Sequence, residues 1–333
     1  MGNLYQNQLD LHRSPSYTDT LTHKAENVIL QKDDIAITLT GTNNKRDFGY
    51  TYIFNDEKNL LLNQRCGLIR AKGNPYFLSC LLKTHTFLNQ FFESATGGTG
   101  NQANVSTKAM EMFSVNTPSL KEQEKIGQLM ALLDERIATQ NKIIEDLKKL
   151  KSAISENLFK AVKGDVVILC EICEIIKGKQ INGEFLSEKG KYYVMNGGTE
   201  PSGYYSDCNV EANTISISEG GNSCGYVQFN SSPFWSGGHC YTIQKLAENV
   251  DNMYLYHYLK SKEDAIMKLR IGSGLPNIQK KDLAMFKIKL PNVEQQKSIS
   301  TFLSSLERKA EIEEIIQNAM LKEKQYLLQQ MFI

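Results

Sequence analysis

Residues 118–159 read PSLKEQEKIGQLMALLDERIATQNKIIEDLKKLKSAISENLF, and residues 291–332 read PNVEQQKSISTFLSSLERKAEIEEIIQNAMLKEKQYLLQQMF. A shift of 173 positions places residues 104–159 on residues 277–332 without a gap, and twelve of these 56 pairs are identical. A repeat at a fixed offset indicates that the chain contains two copies of one structural unit.

Apolar residues recur at steps of three and four along both copies, which is the pattern of a helix with one apolar stripe. The first copy begins after Pro118, a residue type that is tolerated in the first turn of a helix. Such a helix would have about 40 residues and a length of roughly 60 Å. The stripe consists of Ile126, Met130, Leu133, Ile137, Ile144, Leu147, Ile154 and Leu158 in the first copy, and of Ile299, Leu303, Leu306, Ala310, Met320, Leu327 and Met331 in the second.

Polar residues interrupt the stripe at equivalent positions, namely Gln140 and Lys151 in the first copy and Glu313 and Lys324 in the second. A helix of this length is marginal alone and needs a partner that covers its apolar stripe. The economical partner is the other copy, so we expect the two helices to pack antiparallel. Two unrelated amphipathic helices are the alternative.

The composition is that of an ordinary globular protein, with 41% hydrophobic and 23% charged residues, and a length of 333 residues suggests about two domains. A net charge of +1 excludes a strongly basic protein that binds nucleic acid by phosphate attraction alone. The seven cysteines follow no pattern, and no apolar run has the length of a signal peptide core or a membrane span. These features predict a reduced, cytoplasmic protein with no membrane contact.

A similar series of short elements precedes each long helix. In the first series we expect a strand at 34–40, a polar turn at 41–49, a return strand at 50–54 and a helix at 76–92, whereas residues 1–25 are interpreted as loop. The second series has strands at 192–195, 214–218, 226–229 and 240–243, a helix at 253–269 and a glycine-rich turn at 219–225. The predicted fold class is therefore α+β, with two globular domains separated by two long antiparallel helices in a pseudo-twofold tandem repeat.

Three features together resemble the specificity subunit of type I restriction–modification systems. They are the segment GSGLPNI at 272–278, the segment PSLKEQEKI at 118–126 with its copy PNVEQQKSI at 291–299, and the plan of two globular parts and two helices. The resemblance covers nearly the whole chain. It implies domains at 1–117 and 161–290 that recognise DNA, and spacer helices at 118–160 and 291–333.

The family implies a function in which each target-recognition domain reads one half of a split sequence in double-stranded DNA. The helices would set the spacing and dock two adenine-N6 methyltransferase subunits, and restriction subunits would join the full complex. The subunit itself would be non-catalytic and would hold no cofactor. A coiled-coil scaffold that joins two protein-binding domains is the alternative function.

The chain departs from the family pattern before its first core strand. Residues 160–214 precede Ile215 in the second part, whereas only residues 1–34 precede Ile35 in the first. The first part has no counterpart of the segment 164–179, so we interpret the first recognition domain as N-terminally shortened. A sheet that lacks one element is expected to expose apolar surface and to be the less stable of the two.

Base recognition requires hydrogen-bonding side chains on exposed loops, and phosphate contact requires Lys or Arg. A solvated hairpin tip is the alternative for the first loop, and a core position is the alternative for the two tyrosines of the second part. The candidate DNA-binding residues of the first part are Thr42, Asn43, Asn44, Lys45, Arg46 and Arg65. Those of the second part are Lys177, Lys179, Asn196, Thr199, Tyr204, Tyr205, Asn222, Ser223, Tyr226, His239, Lys268, Arg270, Lys280 and Lys281.

Motifs for catalysis and for metals are not found in the sequence. Cys170 and Cys173 have a CxxC spacing, but zinc needs four ligands and no second Cys/His pair follows at a suitable distance. The loop GGTG at 97–100 lacks the GK[ST] ending of a phosphate-binding loop, and the chain contains no Pro-Pro, which the catalytic motif of an adenine methyltransferase requires. We therefore expect neither a catalytic centre nor a metal or cofactor site.

Overall fold

The computed structural model describes residues 2–13, 15–20, 23–55, 59–97, 101–272, 274 and 276–332. The chain divides into two compact units. The first unit contains Met1–Lys142 and Ile315–Ile333, and the second contains Ile143–Glu314. Each long helix contributes one part to each unit. Among the described residues, no helix is both long and apolar enough to span a bilayer.

The elements of the first unit begin with a short hairpin near the N-terminus and end with the first part of a long helix. Its strands are β1 (Leu4–Tyr5), β2 (Gln8–Leu9), β3 (Ile35–Thr38), β4 (Thr40–Thr42), β5 (Thr51–Ile53), β6 (Cys66–Ile69), β7 (Thr96–Gly97) and β8 (Gln102–Asn104). Its helices are α1 (His23–Glu26), α2 (Pro75–Leu81), α3 (His85–Glu93), α4 (Thr107–Glu111) and the start of α5 (Leu120–Ala161).

The main sheet of the first unit is antiparallel, with the strand order β5-β3-β6. The alternation of the central strand places Ile35 and Ile37 on one face, where Phe77, Phe87 and Phe91 pack against them. On the other face Ala36 packs with Leu4, Leu30 and Phe54. Residues 1–25 therefore contribute a hairpin and a buried leucine, contrary to their interpretation as loop, because two turn residues with positive φ, Gln6 and Asn7, reverse the chain.

The elements of the second unit begin where the first long helix ends. They are β9 (Asp165–Ile168), α6 (Leu169–Ile172), β10 (Glu174–Lys177), β11 (Tyr192–Met195), β12 (Tyr204–Tyr205), β13 (Thr214–Ser218), β14 (Val227–Asn230), β15 (Trp235–Ser236), β16 (Cys240–Gln244), α7 (Asn252–Ser261), α8 (Glu263–Met267), α9 (Lys280–Ala284), β17 (Lys287–Leu290) and the start of α10 (Val293–Met331). The end of α10, from Ile315, belongs to the first unit. A short 3₁₀ turn, Gly183–Phe185, lies between β10 and β11.

The main sheet of the second unit has the strand order β10-β16-β13-β14, and β9 pairs antiparallel with β17 beside it. Strand β13 corresponds to β3, since its Ile215 and Ile217 are also fully buried at the centre of the sheet. The core continues through Tyr254 and Leu255 of α7 to Phe159 near the end of α5. Phe159 packs edge-to-face on Tyr254, with 5.7 Å between the ring centroids.

The parts of the two long helices in each unit run antiparallel. In the first unit, Asp134 of α5 contacts Lys324 of α10 and Asn141 contacts Gln317. In the second unit, Lys148 lies 2.5 Å from Glu314 and Lys151 lies 2.6 Å from Glu307. Residue numbers rise along one helix as they fall along the other, which confirms the antiparallel prediction and with it the α+β fold class.

The predicted stripe is the buried face of both helices. Met130 and Leu303 are fully buried, and Ile137, Ile144, Ile299 and Ala310 are nearly so. The remaining stripe positions are half-buried. Burial of each large apolar side chain contributes roughly 1.5–3 kcal/mol, which is how a helix of this length becomes stable in the fold.

Two helices that we expected to be continuous are each divided. The segment 76–92 forms α2 and α3, because Thr84 adopts extended backbone and its side chain accepts a hydrogen bond from the Phe87 N–H as a new N-cap. The segment 253–269 forms α7 and α8, with a break at Lys262. Leu61 forms a single bridge with Ile29.

Candidate functional site

The polar tips predicted in the two units are each closed at the base by the same pair of backbone hydrogen bonds. In the first unit, Thr38 N–H donates to the Tyr50 carbonyl at 2.9 Å and Gly49 N–H donates to the Thr38 carbonyl at 2.9 Å. In the second unit the same two bonds join Ser218 to Tyr226 at 2.9 Å and Gly225 to Ser218 at 2.8 Å. The two tips are therefore equivalent in structure although their sequences differ.

A second pair of equivalent bonds fixes the base of each tip to two neighbouring loops. Leu39 N–H donates to the Arg65 carbonyl and Val105 N–H donates to the Leu39 carbonyl, both at 2.9 Å. In the second unit Glu219 replaces Leu39, with bonds from its N–H to His239 at 2.9 Å and from Ile278 N–H to its carbonyl at 2.8 Å. Arg65 and His239, both predicted site residues, thus occupy equivalent and exposed positions.

The first tip, residues 40–48, presents four consecutive exposed side chains, Asn43 to Arg46. Asp47 shapes the tip, because its carboxylate accepts from the Thr42 N–H at 2.5 Å and from the Thr42 hydroxyl at 3.3 Å. Arg46 has a positive φ of 47° and its guanidinium lies 5.1 Å above the Phe92 ring. Asn44 and Lys45, next to it in the chain, are exposed.

The second tip, residues 220–224, is four residues shorter than residues 40–48 and less basic. Asn222 is exposed and Ser223 is half-buried. Tyr226 stands at its base, where the Lys260 ammonium lies 3.9 Å from the ring centroid. Partial burial, followed by the nearby carboxylates of Glu263 and Glu200, raises the pKa of Tyr226, so its hydroxyl stays a hydrogen-bond donor at neutral pH.

A buried carboxylate, Glu219, brings together several residues that lie far apart in the sequence. Its Oε1 accepts from the Lys177 ammonium at 2.6 Å and from the Tyr241 hydroxyl at 3.0 Å. Its Oε2 lies 3.7 Å from His239 Nδ1. Asn196 joins the same group, since its side-chain oxygen accepts from the His239 N–H at 3.1 Å. Three predicted site residues, Lys177, Asn196 and His239, are thus brought to one place at the base of the second tip.

The Glu219 carboxylate accepts hydrogen bonds at one of its two oxygens, Oε1. Glu219 Oε2 is buried and lacks a hydrogen-bond partner among the described residues. Burial and the hydrogen bond to Glu219 raise the pKa of Tyr241, so the phenol remains protonated and donates. Lys177, half-exposed at its side chain, is held by Glu219 at the edge of the surface. The arrangement orients a cation toward solvent without leaving the carboxylate unpaired.

Of the remaining candidate residues in this region, some have exposed side chains and others pack against neighbouring side chains. Lys179 contributes its backbone, whose carbonyl accepts from the Trp235 indole at 3.0 Å, while its side chain is exposed. Tyr205 packs edge-to-face on Trp235 with 5.1 Å between the centroids. Tyr204 lies in the same two-residue strand and is half-buried, so both tyrosines have packing roles, whereas Thr199 is exposed.

The basic residues of the segment 268–289 are distributed over several elements. Lys268 and Arg270 follow α8, and the loop after them reaches the second tip through the bridges Ile271–Asn277 and Gly220–Asn277. Lys280 and Lys281 begin α9, and Lys289 on β17 donates to the Lys160 carbonyl at 3.2 Å. Lys268 and Arg270 are thus connected to the second tip through this loop. Ser273 and Leu275 of the GSGLPNI segment lie outside the described residues.

Glu219 and Tyr241 were not predicted as site residues. No local pattern marks them, because Lys177 and Glu219 are joined only by the placement of β10 beside β16 and of β16 beside β13. An acidic residue directly after a buried strand was the one available signal.

Cys173 is buried, donates to the Leu169 carbonyl at 3.1 Å and has its pKa raised by burial to about 12, whereas Cys170 is exposed. The described residues contain no group of three or more potential metal ligands.

Comparisons with known proteins identify relatives along most of the chain. Residues 2–149 and 162–322 match the family described as the type I restriction modification DNA specificity domain. The chain is 33% identical over 165 residues to a candidate type I specificity subunit of Mycoplasma pneumoniae. The aligned region covers 49% of this chain and 42% of that protein. It thus spans less than half the length of this relative.

Two further comparisons extend over more of the chain. A candidate specificity subunit of the type I restriction enzyme MjaX from Methanocaldococcus jannaschii is 25% identical over 334 aligned positions, which cover 85% of this chain and 76% of that one. The crystal structure of a type I restriction–modification S subunit from Mycoplasma genitalium superposes with a TM-score of 0.68 at 20% identity, over 96% of this chain and 86% of the other. At this identity, the superposition on the Mycoplasma genitalium structure shows likeness of fold alone.

Proposed function

This chain belongs to the type I restriction–modification DNA specificity family, and we propose that it selects the DNA sequence on which such a complex acts. One observation carries the proposal: both units hold an exposed polar tip on the same four backbone hydrogen bonds. A rigid base with a variable tip is the arrangement that sequence readout requires, because base contacts need side chains held in place by a scaffold.

We propose a target in two parts, one for each unit. The recognition domains would be residues 1–117 and 161–290, as the sequence repeat predicts. In the first, Asn43 and Asn44 have the amide geometry for adenine, and Lys45 and Arg46 suit guanine or phosphate. In the second, Lys177, His239 and Asn222 lie around the shorter tip, and Lys268 and Arg270 follow on the adjoining loop.

The partner subunits would bind the long helices, and these proteins would carry the methylation and cleavage activities. Apolar side chains remain exposed on the helices at positions related by the repeat. Leu129 and Phe302 are 41% and 47% exposed, and Ile143 and Ile316 are 40% and 38% exposed. Exposed apolar side chains in a patch are typical of protein interfaces. Their occurrence twice favours two methyltransferase subunits, with restriction subunits joining afterwards.

The test is a double variant of the first tip, Lys45→Ala with Arg46→Ala, in the complex assembled with its methyltransferase. We expect weaker DNA binding and a loss of about 1–3 kcal/mol in discrimination at any base that one of these side chains reads. The control is Lys32→Ala with Lys72→Ala, which removes two exposed cations of the first unit that lie outside both the tip and the long helices. Methylome sequencing of a host that expresses the system supplies the target needed for the binding assay.

Assembly is measured on the same samples by size-exclusion chromatography. Retained methyltransferase binding together with lost specificity supports the proposed division between tips and helices. Specific DNA binding that is equal in the tip variant, the control and the wild type would contradict the assignment of the first tip. An assembled complex that shows no sequence preference at all would favour a scaffold.

A further inference from the structure

His239 stands at the base of the second tip on a backbone that its neighbours hold in place. Its N–H donates to the Asn196 side-chain oxygen at 3.1 Å, and its carbonyl accepts from the Glu219 N–H at 2.9 Å. Gly197 packs against it so closely that a Cβ there would lie 3.1 Å from the His239 Cβ. The imidazole, in contrast, is 62% exposed. The backbone is therefore fixed, while the ring is accessible to a ligand.

One edge of this ring faces a buried oxygen that lacks a partner. Glu219 Oε1 accepts from Lys177 and Tyr241, whereas Oε2 is buried and has no hydrogen-bond partner among the described residues. Oε2 lies 3.7 Å from His239 Nδ1. A buried acceptor without a donor is costly, so this oxygen favours a donor beside it. Rotation of the imidazole about χ2, which is a soft torsion, can shorten the gap to a hydrogen bond.

The first unit has neither the acid nor the histidine at the equivalent backbone positions. Leu39 replaces Glu219, and Arg65 replaces His239. A guanidinium only donates hydrogen bonds, whereas a neutral imidazole has one donor and one acceptor nitrogen, and its neighbours decide which is which. The carboxylate thus occurs in the unit whose exposed residue is the one that needs such a neighbour. This pairing indicates that Glu219 acts on the His239 ring.

We propose that Glu219 is a positioning residue that holds neutral His239 as the tautomer with its proton on Nδ1, so that Nε2 accepts a hydrogen bond from the exocyclic amine of a target base. An ionised carboxylate only accepts, so the nitrogen that faces it carries the proton and the outward nitrogen keeps its lone pair. In the major groove the amines are adenine N6 and cytosine N4. The base contact rests on the proposed function, whereas the tautomer is a property of the free protein.

The conservative change Glu219→Gln is expected to invert this preference. Lys177 and Tyr241 both donate to Oε1, so the amide oxygen takes that position. The amide nitrogen then takes the position of Oε2 and donates to His239 Nδ1. The ring proton consequently moves to Nε2, which becomes a donor. A donor at this place suits guanine O6 or thymine O4, so the favoured base should change from adenine or cytosine to guanine or thymine.

The first experiment measures the tautomer in the full chain without DNA. Long-range ¹H–¹⁵N correlation spectra of ¹⁵N-histidine protein are recorded at about pH 8, where an ordinary imidazole is neutral. The chain has five histidines, and His239→Ala identifies the signal of this ring. We expect the proton on Nδ1 in the wild type and on Nε2 in Glu219→Gln. The matched control is Glu174→Gln, which removes a carboxylate 2.6 Å from Lys245 and should leave the His239 signal unchanged.

The second experiment measures base preference in the complex assembled with its methyltransferase, on the target that methylome sequencing supplies. Each base pair of the target is replaced in turn by the other three, and ratios of Kd are compared. Ratios are used because loss of the ion pair to Lys177 changes phosphate attraction for all sequences alike. At one position the wild type should prefer adenine or cytosine by about fivefold. Glu219→Gln should reverse this preference, and His239→Ala should abolish it.

The two experiments separate this inference from the proposed function. A wild-type ring with its proton on Nε2 overturns the inference, whatever the DNA measurements show. A complex that selects its target with unchanged preference at every position in Glu219→Gln and His239→Ala also overturns it and leaves the proposed function standing. Loss of all sequence preference in the wild type would contradict the proposed function and the base contact together. Circular dichroism verifies folding, and if Glu219→Gln does not fold, the wild-type spectrum and His239→Ala decide the outcome.

Discussion

Leu39 and Glu219 hold equivalent backbone positions, yet only the second carries a charge. The Glu219 carboxylate is 11% exposed and is stabilised by the Lys177 ammonium and the Tyr241 hydroxyl. A buried charge is costly unless it is paired, so the position tolerates an acid only where such partners exist. Individual residues at the base of the tips therefore differ between the units while the backbone stays the same.

Gly225 is required by the backbone at the base of the second tip. Its φ is +94°, and a Cβ there would lie 2.9 Å from the Met267 Cα. We expect Gly225→Ala to lower the free energy of unfolding by about 1–3 kcal/mol. The control is Gly183→Ala, where a Cβ would meet no atom within 4 Å. Urea unfolding compares the two variants, and equal stability would contradict the close approach.

His257 makes stability depend on pH in a defined window. Burial lowers its pKa to about 4, and its Nε2 lies 2.9 Å from Ser304 Oγ. Below about pH 6.5 the unfolded chain takes up a proton that the folded chain does not, so stability is present above this pH and falls as the pH approaches 4.

The loss from this single group between pH 7 and pH 5 should be about 2 kcal/mol. His257→Gln should remove this part of the pH dependence, because glutamine does not titrate. His12→Gln, which changes an exposed histidine, should leave it in place. Unfolding in urea at pH 7 and pH 5 measures the change in the free energy of unfolding. An equal change for all three proteins would exclude His257 as the cause.

The long helices owe their register to an ion pair that occurs twice. Lys324 pairs with Asp134 in the first unit, and Lys151 pairs with Glu307 at 2.6 Å in the second. The shift of 173 positions relates both lysines to each other and both acids to each other. A slip of one helix along the other would separate both pairs, so the polar interruptions of the stripe specify alignment.

The apolar stripe should account for most of the stability of the helix packing. Met130 is fully buried, whereas its neighbour Leu129 is 41% exposed. We expect Met130→Ala to lower the free energy of unfolding by about 2–5 kcal/mol, and Leu129→Ala to change it by less than about 0.5 kcal/mol. Thermal unfolding monitored by circular dichroism compares them. A similar cost for both changes would place the helix interface elsewhere.

The long helices and their buried face could be predicted from the sequence because their period of three and four continues for more than ten turns. The strands at 192–195, 214–218 and 240–243 were recognisable as well, since β-branched and aromatic residues alternate there. The break at Thr84 was missed because a single threonine between two apolar runs competes weakly with helical periodicity. The Glu219 cluster was beyond prediction, because only the pairing of distant strands creates it.

The molecule as a whole contains the same fold twice with unequal completeness. The main sheet has four strands in the second unit and three in the first. The expectation of a shortened first domain stays a prediction. Which unit meets which half of a DNA target stays a proposal, as do the individual base contacts.

The smaller main sheet should make the first unit the less stable one. We expect the amides of Ile35 and Ile37 in β3 to exchange faster with solvent than those of Ile215 and Ile217 in β13, although all four side chains are fully buried. Fewer strands shield β3, so its local opening costs less free energy. Native-state hydrogen exchange with mass spectrometry measures both strands in one sample. Slower exchange in β3 would contradict this ranking.

The four shared backbone hydrogen bonds at the tips have a consequence for how the protein can diversify. These bonds involve main-chain atoms alone, so they persist whichever side chains lie between them. A tip of residues 40–48 and a shorter one of 220–224 already close on the same anchors. A lineage could therefore exchange, lengthen or shorten a tip by mutation or recombination at little risk to the core, and acquire a new specificity without having to invent a new fold.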